Sequence, residues 1–580
     1  MLLLYAQLWK GRKTVDNQSQ KRQMAAFYIF AVILVGLAAN LWVIQVKNGE
    51  KYAVMALEQG SRYVSLEDVC RGEILDRNLV PLTGEQKGDR IVVFPFIVED
   101  KETVIQGLSE ILGVSSEVVA GLLNGAPCYL PFQLSPEQVD AVKKRDWKGV
   151  AVLPVHFRYG GRPLTAQVLG HLGKIASPDE LAVLGQQSDK IYHYGDVVGK
   201  AGLEAFYEPE LKGIRPERAA RVFFDAEGNL LKGSVLQVEE NIRDNSRQDL
   251  VLTIDARIQR VVEEVMDKSI AKGAVVVMEA GTGDLLAMAG RPAYNPAQVE
   301  EYMNNGGAEQ FIDHCTALYP PGSIFKIAVA AAALGEGTVS SESPFTCSGA
   351  KENLIHCWKD EGHGSLNFSR AFAESCNPVF AKVGLSLGAQ KIIEYALKLG
   401  LTNQSVTGYP VKPDPRQDLN LIGEPNNLVN SSIGQGPVLV TPVQVAAMIN
   451  TIVSDGIYRA PRLVKEIRKN NGGVARELAG DPGQRAIQSD TAGKLRTLME
   501  LVIDEGAGSE ASVPFFGSAG KTGSAQVGNT EPSVNAWFTG YAPRSNPRYI
   551  VTVMIEDGVS GGQSAAPVFR EIMEQILLLD

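Results

Sequence analysis

Cysteine is scarce in this chain, and so is positive charge. Six cysteines, Cys70, Cys128, Cys315, Cys347, Cys357 and Cys376, are too few to staple 580 residues into a disulfide scaffold. Cys347 and Cys357 flank a short loop, and an oxidising compartment would let them pair. Zinc held by Cys347, His356, Cys357 and His363 is a second reading, although that spacing matches no standard pattern, and free thiols are a third. Lys and Arg number 56 against 66 Asp and Glu, a formal net charge of -10, which argues against a nucleic-acid partner. Charged residues at 21% and hydrophobic ones at 45% exclude a disordered chain. Internal repeats are lacking as well, and the length suggests about three or four units.

Long apolar runs are limited to one. Met24 to Val46, "MAAFYIFAVILVGLAANLWVIQV", has only Asn40 and Gln45 as polar side chains and is long enough to cross a bilayer. Lys10, Arg12, Lys13, Lys21 and Arg22 precede it, a basic excess that places the N-terminus in the cytoplasm and the remainder outside. A cleaved signal peptide would cut near Gly36-Leu37-Ala38, but the apolar run continues well past that point, which favours an uncleaved anchor.

Beyond the anchor, "GDRIVVFPFIVE" reads as strand, and "KETVIQGLSEILG" and "SPEQVDAVKKR" read as helices. The charged stretch 236–250 reads as a junction. A second unit then opens with a strand ending at Asp255 and a helix after it. Two apolar runs flank Gly281-Thr282-Gly283-Asp284, a hairpin signal. "NAWFTGYAP" and "RYIVTVMIEDG" add strands near the end, before a closing amphipathic helix. Strands at both ends with helices between them predict an α+β fold with one antiparallel sheet and a separate helical layer. The proline-rich stretch 407–427 reads as an exposed loop.

Against that background stands "YPPGSIFKIAVAAAALGEG", Tyr319 to Gly337. Pro320, Pro321 and Gly322 break the preceding chain, and Ser323 falls at or near a helix start. Lys326 lies three residues on, on the same helix face. Almost every side chain beyond it is apolar, so the helix is expected to be buried and the lysine with it. Burial disfavours the charged amine. A neutral amine beside a hydroxyl is a general base beside a nucleophile. An ordinary capped core helix with a snorkelling lysine would carry the same residues, so the stretch is not decisive by itself.

Two further motifs follow in order. Ser375-Cys376-Asn377 supplies a hydroxyl and an amide on a short turn, and Lys521-Thr522-Gly523 lies in a strand-like segment. S-x-x-K, then S-x-N, then K-T-G is the order found in serine enzymes that react with penicillin. The hydroxyl of Ser375 can relay a proton, and the amide of Asn377 can hold a substrate backbone or the lysine. A K-T-G strand can pair with an extended peptide, Gly523 lets it approach closely, and Lys521 adds positive charge for a carboxylate. The N–H groups of Ser323 and Ser524 are the natural oxyanion donors. A phosphate loop is excluded, because the glycine it requires five residues before Gly520 is Phe515.

With these motifs in place the chain resembles the class B penicillin-binding proteins, monofunctional peptidoglycan transpeptidases. The resemblance extends to "RGEILDRN" (Arg71 to Asn78), "RPLTAQVLGHLG" (Arg162 to Gly173), "GKAGLEAFYEPELKG" (Gly199 to Gly213), "CWKDEGHG", "SIGQGPVLVTPVQVA" and "AWFTGYAP". It implies a cytoplasmic tail over 1–23, a transmembrane anchor over 24–46, a pedestal of dimerisation type over 47–245 and a transpeptidase domain over 246–580, the last an antiparallel sheet flanked by helices with an all-α part. It implies that Arg71, Asp76, Arg77 and Glu204 stitch the pedestal together. The implied catalytic residues are Ser323, Lys326, Ser375, Asn377 and Lys521, with Thr522, Gly523 and Ser524 at the substrate and no metal or cofactor required. Peptidoglycan stem peptides, β-lactams, the membrane and a membrane-embedded glycan polymerase of a cell-wall synthesis complex are the implied partners. No acidic constellation of the glycosyltransferase kind precedes the motifs. A D,D-carboxypeptidase or β-lactamase, or a penicillin-binding sensor or scaffold, would carry the same triplet. The long pedestal and anchor argue against the first pair, and a cytoplasmic part of about 23 residues argues against the sensor.

Overall fold

The computed structural model describes residues 2–47, 61–84, 86–224, 236–240, 242–305, 307–402, 404–528 and 533–579. Helix α1 (Leu2–Trp42) runs into a π turn, Val43–Lys47, and the two together contain the apolar span Met24–Val46, 23 residues with no part buried in protein. At 1.5 Å per residue that span is about 34 Å long, enough to cross a bilayer core. Contacts divide the chain into two units, one of Met1–Leu66, Asp89–Leu153 and Arg218–Asn241, the other of Glu67–Gly88, Pro154–Glu217 and Ile242–Asp580.

The first unit packs the helices Lys101–Leu112, Ser116–Leu123 and Pro136–Arg145 around Ile91, Val93, Val104, Leu108, Val119, Leu123 and Val142. Two of these helices start where the sequence placed them. Asp100 accepts the Thr103 N–H, and Ser135 and Gln138 form a reciprocal capping box. A three-stranded sheet orders Ser61–Ser65, Ala219–Phe223 and Gln237–Glu239.

The second unit is built on one five-stranded sheet. Helix α2 (Ala256–Ser269), capped by Asp255, leads into strands β1 (Gly273–Glu279) and β2 (Leu285–Arg291), joined by the expected hairpin. Helices α3 (Lys326–Gly335), α4 (Asn377–Leu387), α5 (Pro442–Val453) and α6 (Ser489–Asp504) follow. Strands β3 (Ala519–Val527), β4 (Ser533–Ala542) and β5 (Tyr549–Ile555) and helix α7 (Ala566–Ile576) close the unit. The sheet order is β2-β1-β5-β4-β3, every pair antiparallel, so its edge strands come from opposite ends of the unit, as the sequence predicts. Side-chain alternation along each strand serves two cores. Ala274, Val276 and Met278 join the core shared with α3, α5 and α6, whereas Val275 and Val277 join the one shared with α2 and α7.

Arg71 is held by Glu204 at 3.0 Å and Glu208 at 2.6 Å, and Arg158 meets Glu204 at 2.6 Å, all nearly inaccessible to water. Asp76 accepts the backbone N–H groups of Asn78, Val80 and Ala256, which ties "RGEILDRN" to the start of α2. Arg77 meets Glu279 at 3.3 Å.

One sequence reading needs refinement and one correction. The charged stretch 236–250 does hold a boundary between the two units, but it is also structured. Gln248–Leu252 is a strand between Val464–Lys469 and Ile74–Leu75, and Asp244 and Arg247 are buried because each has partners. Arg247 Nη2 donates to Glu67 at 2.6 Å, and Asp244 accepts the N–H groups of Ile214 and Ser246. The stretch 407–427 is not simply exposed either. Tyr409, Leu419 and Ile422 are buried in the core, with the Tyr409 hydroxyl on Asp313.

Candidate active site

Ser323 lies on a 3₁₀ turn, Gly322–Phe325, that runs directly into α3. The sequence placed it at or near an N-cap; the N-cap is Pro321, and Ser323 is the second residue of the turn. The turn is pinned from both sides. Tyr319 and Val440 exchange backbone hydrogen bonds at 2.8 and 2.9 Å, Gly322 N–H donates to Gly434, and Trp537 Nε1 donates to Pro320 at 3.0 Å. Gly322 has φ 52, and a Cβ there would meet the Ser524 carbonyl at 2.7 Å, so the turn lies hard against β3.

Lys326 is fully buried at the start of α3. Its Nζ donates to the Ser375 carbonyl at 2.8 Å and Asn377 Oδ1 at 2.7 Å, and lies 3.2 Å from Ser375 Oγ. Burial pushes its amine down to about 7, against weaker upward pulls from the Cys376 and Cys357 thiols. Ser375 itself has φ 54, an uncommon conformation for serine, and Cys376 beside it is buried. That left-handed residue turns the chain so that Ser375 and Asn377, one position apart on either side of Cys376, both face the lysine.

Lys521 is also fully buried, with Nζ on the Thr522 carbonyl at 3.1 Å. Burial, and then the neighbouring Lys326, drive it well below the ordinary lysine range. Two buried amines with no carboxylate among their hydrogen-bond partners in the described residues suit proton transfer better than charge pairing.

Ser323, Ser375, Asn377, Thr522 and Ser524 line one cleft of about 510 Å³. Lys521 and Gly523 face the other way, as alternation along β3 requires. Gly523 was expected to clear space for a substrate. Instead its missing side chain clears space for the serine turn, since a Cβ would meet Ile324 Cγ1 at 2.7 Å and the Pro321 carbonyl at 2.8 Å. Among the described residues β3 pairs only with β4, Thr522 opposite Phe538 and Gly523 opposite Trp537, and is an edge strand.

The cleft has further walls: Trp358, Gln435, Glu510 and Gln563. Trp358 and Gln435 sit in segments that the resemblance singled out, though not as site residues. Gln563 lies in a π turn, Gly561–Ala565, before α7, and no spacing signal marks it. The cysteines are free thiols. Cys347, Cys357 and His363 come together although their spacing matches no standard pattern, and the fourth member is Cys376 rather than His356.

The model of the penicillin-binding protein transpeptidase domain matches residues 273–574, and that of the penicillin-binding protein dimerisation domain matches 67–246. The chain is 28% identical to stage V sporulation protein D of Bacillus subtilis, across 97% of this chain and 86% of the relative. It is 25% identical to the peptidoglycan D,D-transpeptidase MrdA of Haemophilus influenzae, across 98% and 93%. Among solved structures, a D,D-transpeptidase domain of a peptidoglycan glycosyltransferase from Eggerthella lenta superposes with a TM-score of 0.53 at 25% identity, covering 62% of this chain and 95% of that one.

Proposed function

The chain belongs to the penicillin-binding protein transpeptidase family, and from that premise we propose how its own residues perform peptidoglycan D,D-transpeptidation. The protein cross-links stem peptides, and the route runs through an acyl-enzyme on Ser323. Ser323 Oγ attacks the carbonyl between the last two D-alanines while Lys326, neutral, takes its proton. The N–H groups of Ser323 and Ser524 receive the developing oxyanion. The C–N bond breaks, and the departing D-alanine amine gains a proton delivered by way of Ser375 and Lys521. A neighbouring stem's amine attacks the ester, gives up a proton to the same base and releases Ser323. β-Lactams enter the first half of this cycle and stop at the ester.

The observation that carries this reading is the buried Lys326 amine, which joins the serine turn to Ser375 and Asn377 with no carboxylate among its partners. Thr522 and Ser524 on the edge strand supply the wall along which an extended peptide lies, with Gly523 holding the turn behind it. A tail over 1–23, an anchor over 24–46, a pedestal over 47–245 and a catalytic part over 246–580 fit the end of the dimerisation match at 246. The basic excess before the anchor puts the N-terminus in the cytoplasm and the site outside, where its substrate is. A membrane-embedded glycan polymerase of a cell-wall synthesis complex is the partner such an enzyme needs, because it cross-links only strands that another activity has made. The test is covalent labelling by a fluorescent penicillin. Wild type takes one label and Ser323→Ala takes none, and undiminished labelling of Ser323→Ala removes it as nucleophile.

A further inference from the structure

Behind the serine turn runs a chain of polar groups that the transpeptidation steps do not use. Its centre is His314, buried, five residues before Tyr319. His314 Nδ1 meets the Tyr319 hydroxyl, which also hydrogen-bonds the Glu556 carboxylate. Glu556 directly follows β5, and its N–H donates to the Lys272 carbonyl at 2.9 Å. Lys272 Nζ lies 3.2 Å from the Glu556 carboxylate and 3.1 Å from that of Glu309. Next to His314, Asp313 accepts from Thr316 Oγ1 at 2.8 Å and from the Tyr409 hydroxyl at 3.0 Å, which ties the segment to the core.

The direction of these bonds follows from counting hydrogens. A phenol has one hydrogen to give, and an ionised carboxylate only accepts. The Tyr319 hydrogen therefore goes to Glu556, and the imidazole donates to Tyr319 from Nδ1. That tautomer leaves a lone pair on Nε2, which is buried with no hydrogen-bond partner among the described residues. Protonation would put a hydrogen there with no acceptor, a costly state for a buried donor. Burial accordingly holds the imidazole below its ordinary range, against upward pulls from Glu556 and Asp313.

We propose that His314 and Glu556 are positioning residues for Ser323, acting through the hydroxyl of Tyr319. The proposal rests on the reading of Ser323 as nucleophile. Tyr319 stands four residues before it. The Tyr319 backbone is paired with Val440, its ring meets Trp537 edge-on at 6.4 Å, and Trp537 Nε1 holds Pro320. Pro320 and Pro321 have φ fixed by their rings, so the setting of Tyr319 carries forward to Gly322 and Ser323. The hydroxyl is anchored at the end of β5, a strand of the same sheet as β3. The nucleophile's turn is thus referred to the sheet that carries Lys521 and Ser524, and the polar chain fixes Ser323 relative to them.

The experiment is stopped-flow acylation of the full-length chain in detergent by a chromogenic β-lactam, which separates the acylation rate constant from the apparent dissociation constant. Tyr319→Phe removes only the hydroxyl. It is expected to lower the rate constant by about tenfold, as a small displacement of a reacting group does, with the dissociation constant within about twofold of wild type. His314→Ala should lose as much, and His314→Asn, whose side-chain N–H reaches the Nδ1 position, should recover most of the rate. Because His314 acts only through the hydroxyl, the double variant Tyr319→Phe with His314→Ala should lose no more than either single one. A merely structural role lowers the fraction of chains that label and leaves the rate constant of those that do. Should His314→Ala not fold by circular dichroism, Glu556→Ala takes its place in the double variant. A wild-type rate constant in Tyr319→Phe, losses that add in the double variant, or a change in the dissociation constant alone overturns the proposal. Labelling that survives Ser323→Ala removes the nucleophile and this role with it, whereas a wild-type rate in Tyr319→Phe with Ser323 still labelled removes this role alone.

Discussion

Lys326 Nζ donates to Asn377 Oδ1 at 2.7 Å, across 51 positions of sequence. An amide oxygen only accepts, and so does the Ser375 carbonyl at 2.8 Å. A neutral amine has two hydrogens, and these two oxygens take both. Its lone pair is then left for a hydroxyl, either Ser375 Oγ at 3.2 Å or the nucleophile. In the proposed mechanism the contact orients the base as well as fixing two turns.

Replacing the base by a permanent cation follows from this. Arginine keeps the charge but does not release its proton, since its pKa stays above about 12. Lys326→Arg is expected to lose on the order of 100-fold or more in acylation rate, the usual worth of general base catalysis. Stopped-flow acylation with a chromogenic β-lactam, on protein shown to be folded by circular dichroism, measures it. A rate within a fewfold of wild type moves the base role to Ser375 or Lys521.

The same amine sets a pH profile. Burial lowers Lys326 from 10.5 to about 7, so the folded protein holds the amine protonated below that value and neutral above it. Acylation should be level above pH 7 and fall by about tenfold per unit below it. Stability depends on the same amine. Between about 7 and 10.5 the unfolded chain binds a proton that the folded one does not, so stability rises with pH across that window. Thermal unfolding of wild type relative to Lys326→Met should therefore improve from pH 7 to pH 10. A flat acylation profile through pH 7 rules out this lysine as the titrating base.

Glu204→Gln tests the pedestal side of the second unit. Glu204 is completely buried between Arg71 and Arg158 and also accepts from Tyr159 at 2.8 Å. Removing its charge leaves two guanidinium groups short of a counter-ion in a dry site, which costs about 3–5 kcal/mol. The first thermal transition should fall by several degrees, because a domain's melting temperature moves by about 2–4 °C per kcal/mol. A transition unmoved by the substitution means that Glu208 alone satisfies both arginines.

Gly523→Ala separates two uses of a glycine. If Gly523 only clears substrate space, a methyl group weakens β-lactam binding and leaves the acylation step alone. The structure points the methyl at Ile324 and Pro321 instead, so it displaces the Ser323 turn. The acylation step itself should slow by about 10–100-fold, as misplacement by about an ångström does elsewhere. Saturation kinetics with the same chromogenic substrate distinguish the two. A change in apparent affinity alone contradicts the packing role.

The membrane span, the hairpin at Gly281–Asp284, the sheet strands and the S-x-x-K, S-x-N, K-T-G order are legible in the residues, because each depends on neighbours within a few positions. A 23-residue apolar run declares itself by length, a strand by its run of apolar side chains, and a hydroxyl beside an amine by helical spacing. The direction of Gly523 was not legible, since a strand's period of two says that faces alternate but not which face meets the serine turn. Nor was the burial of Asp244 and Arg247, because a charged stretch looks solvated until its distant partners, Glu67 and Ile214, are in view.

By itself the sequence determined which groups are available: a hydroxyl and an amine three residues apart, a hydroxyl and an amide two apart, a second amine on a strand, and six thiols. Only the tertiary structure decided what surrounds them. Lys326 is depressed to about 7 because α3, the Ser375 turn and β3 close over it from separate parts of the chain, and desolvation is a property of that enclosure. Cys376, which the motif leaves free to vary, joins Cys347, Cys357 and His363 because a left-handed Ser375 turns the chain toward them. Contacts between residues far apart in sequence have no local period to announce them, so folding alone settles which neighbours a side chain meets.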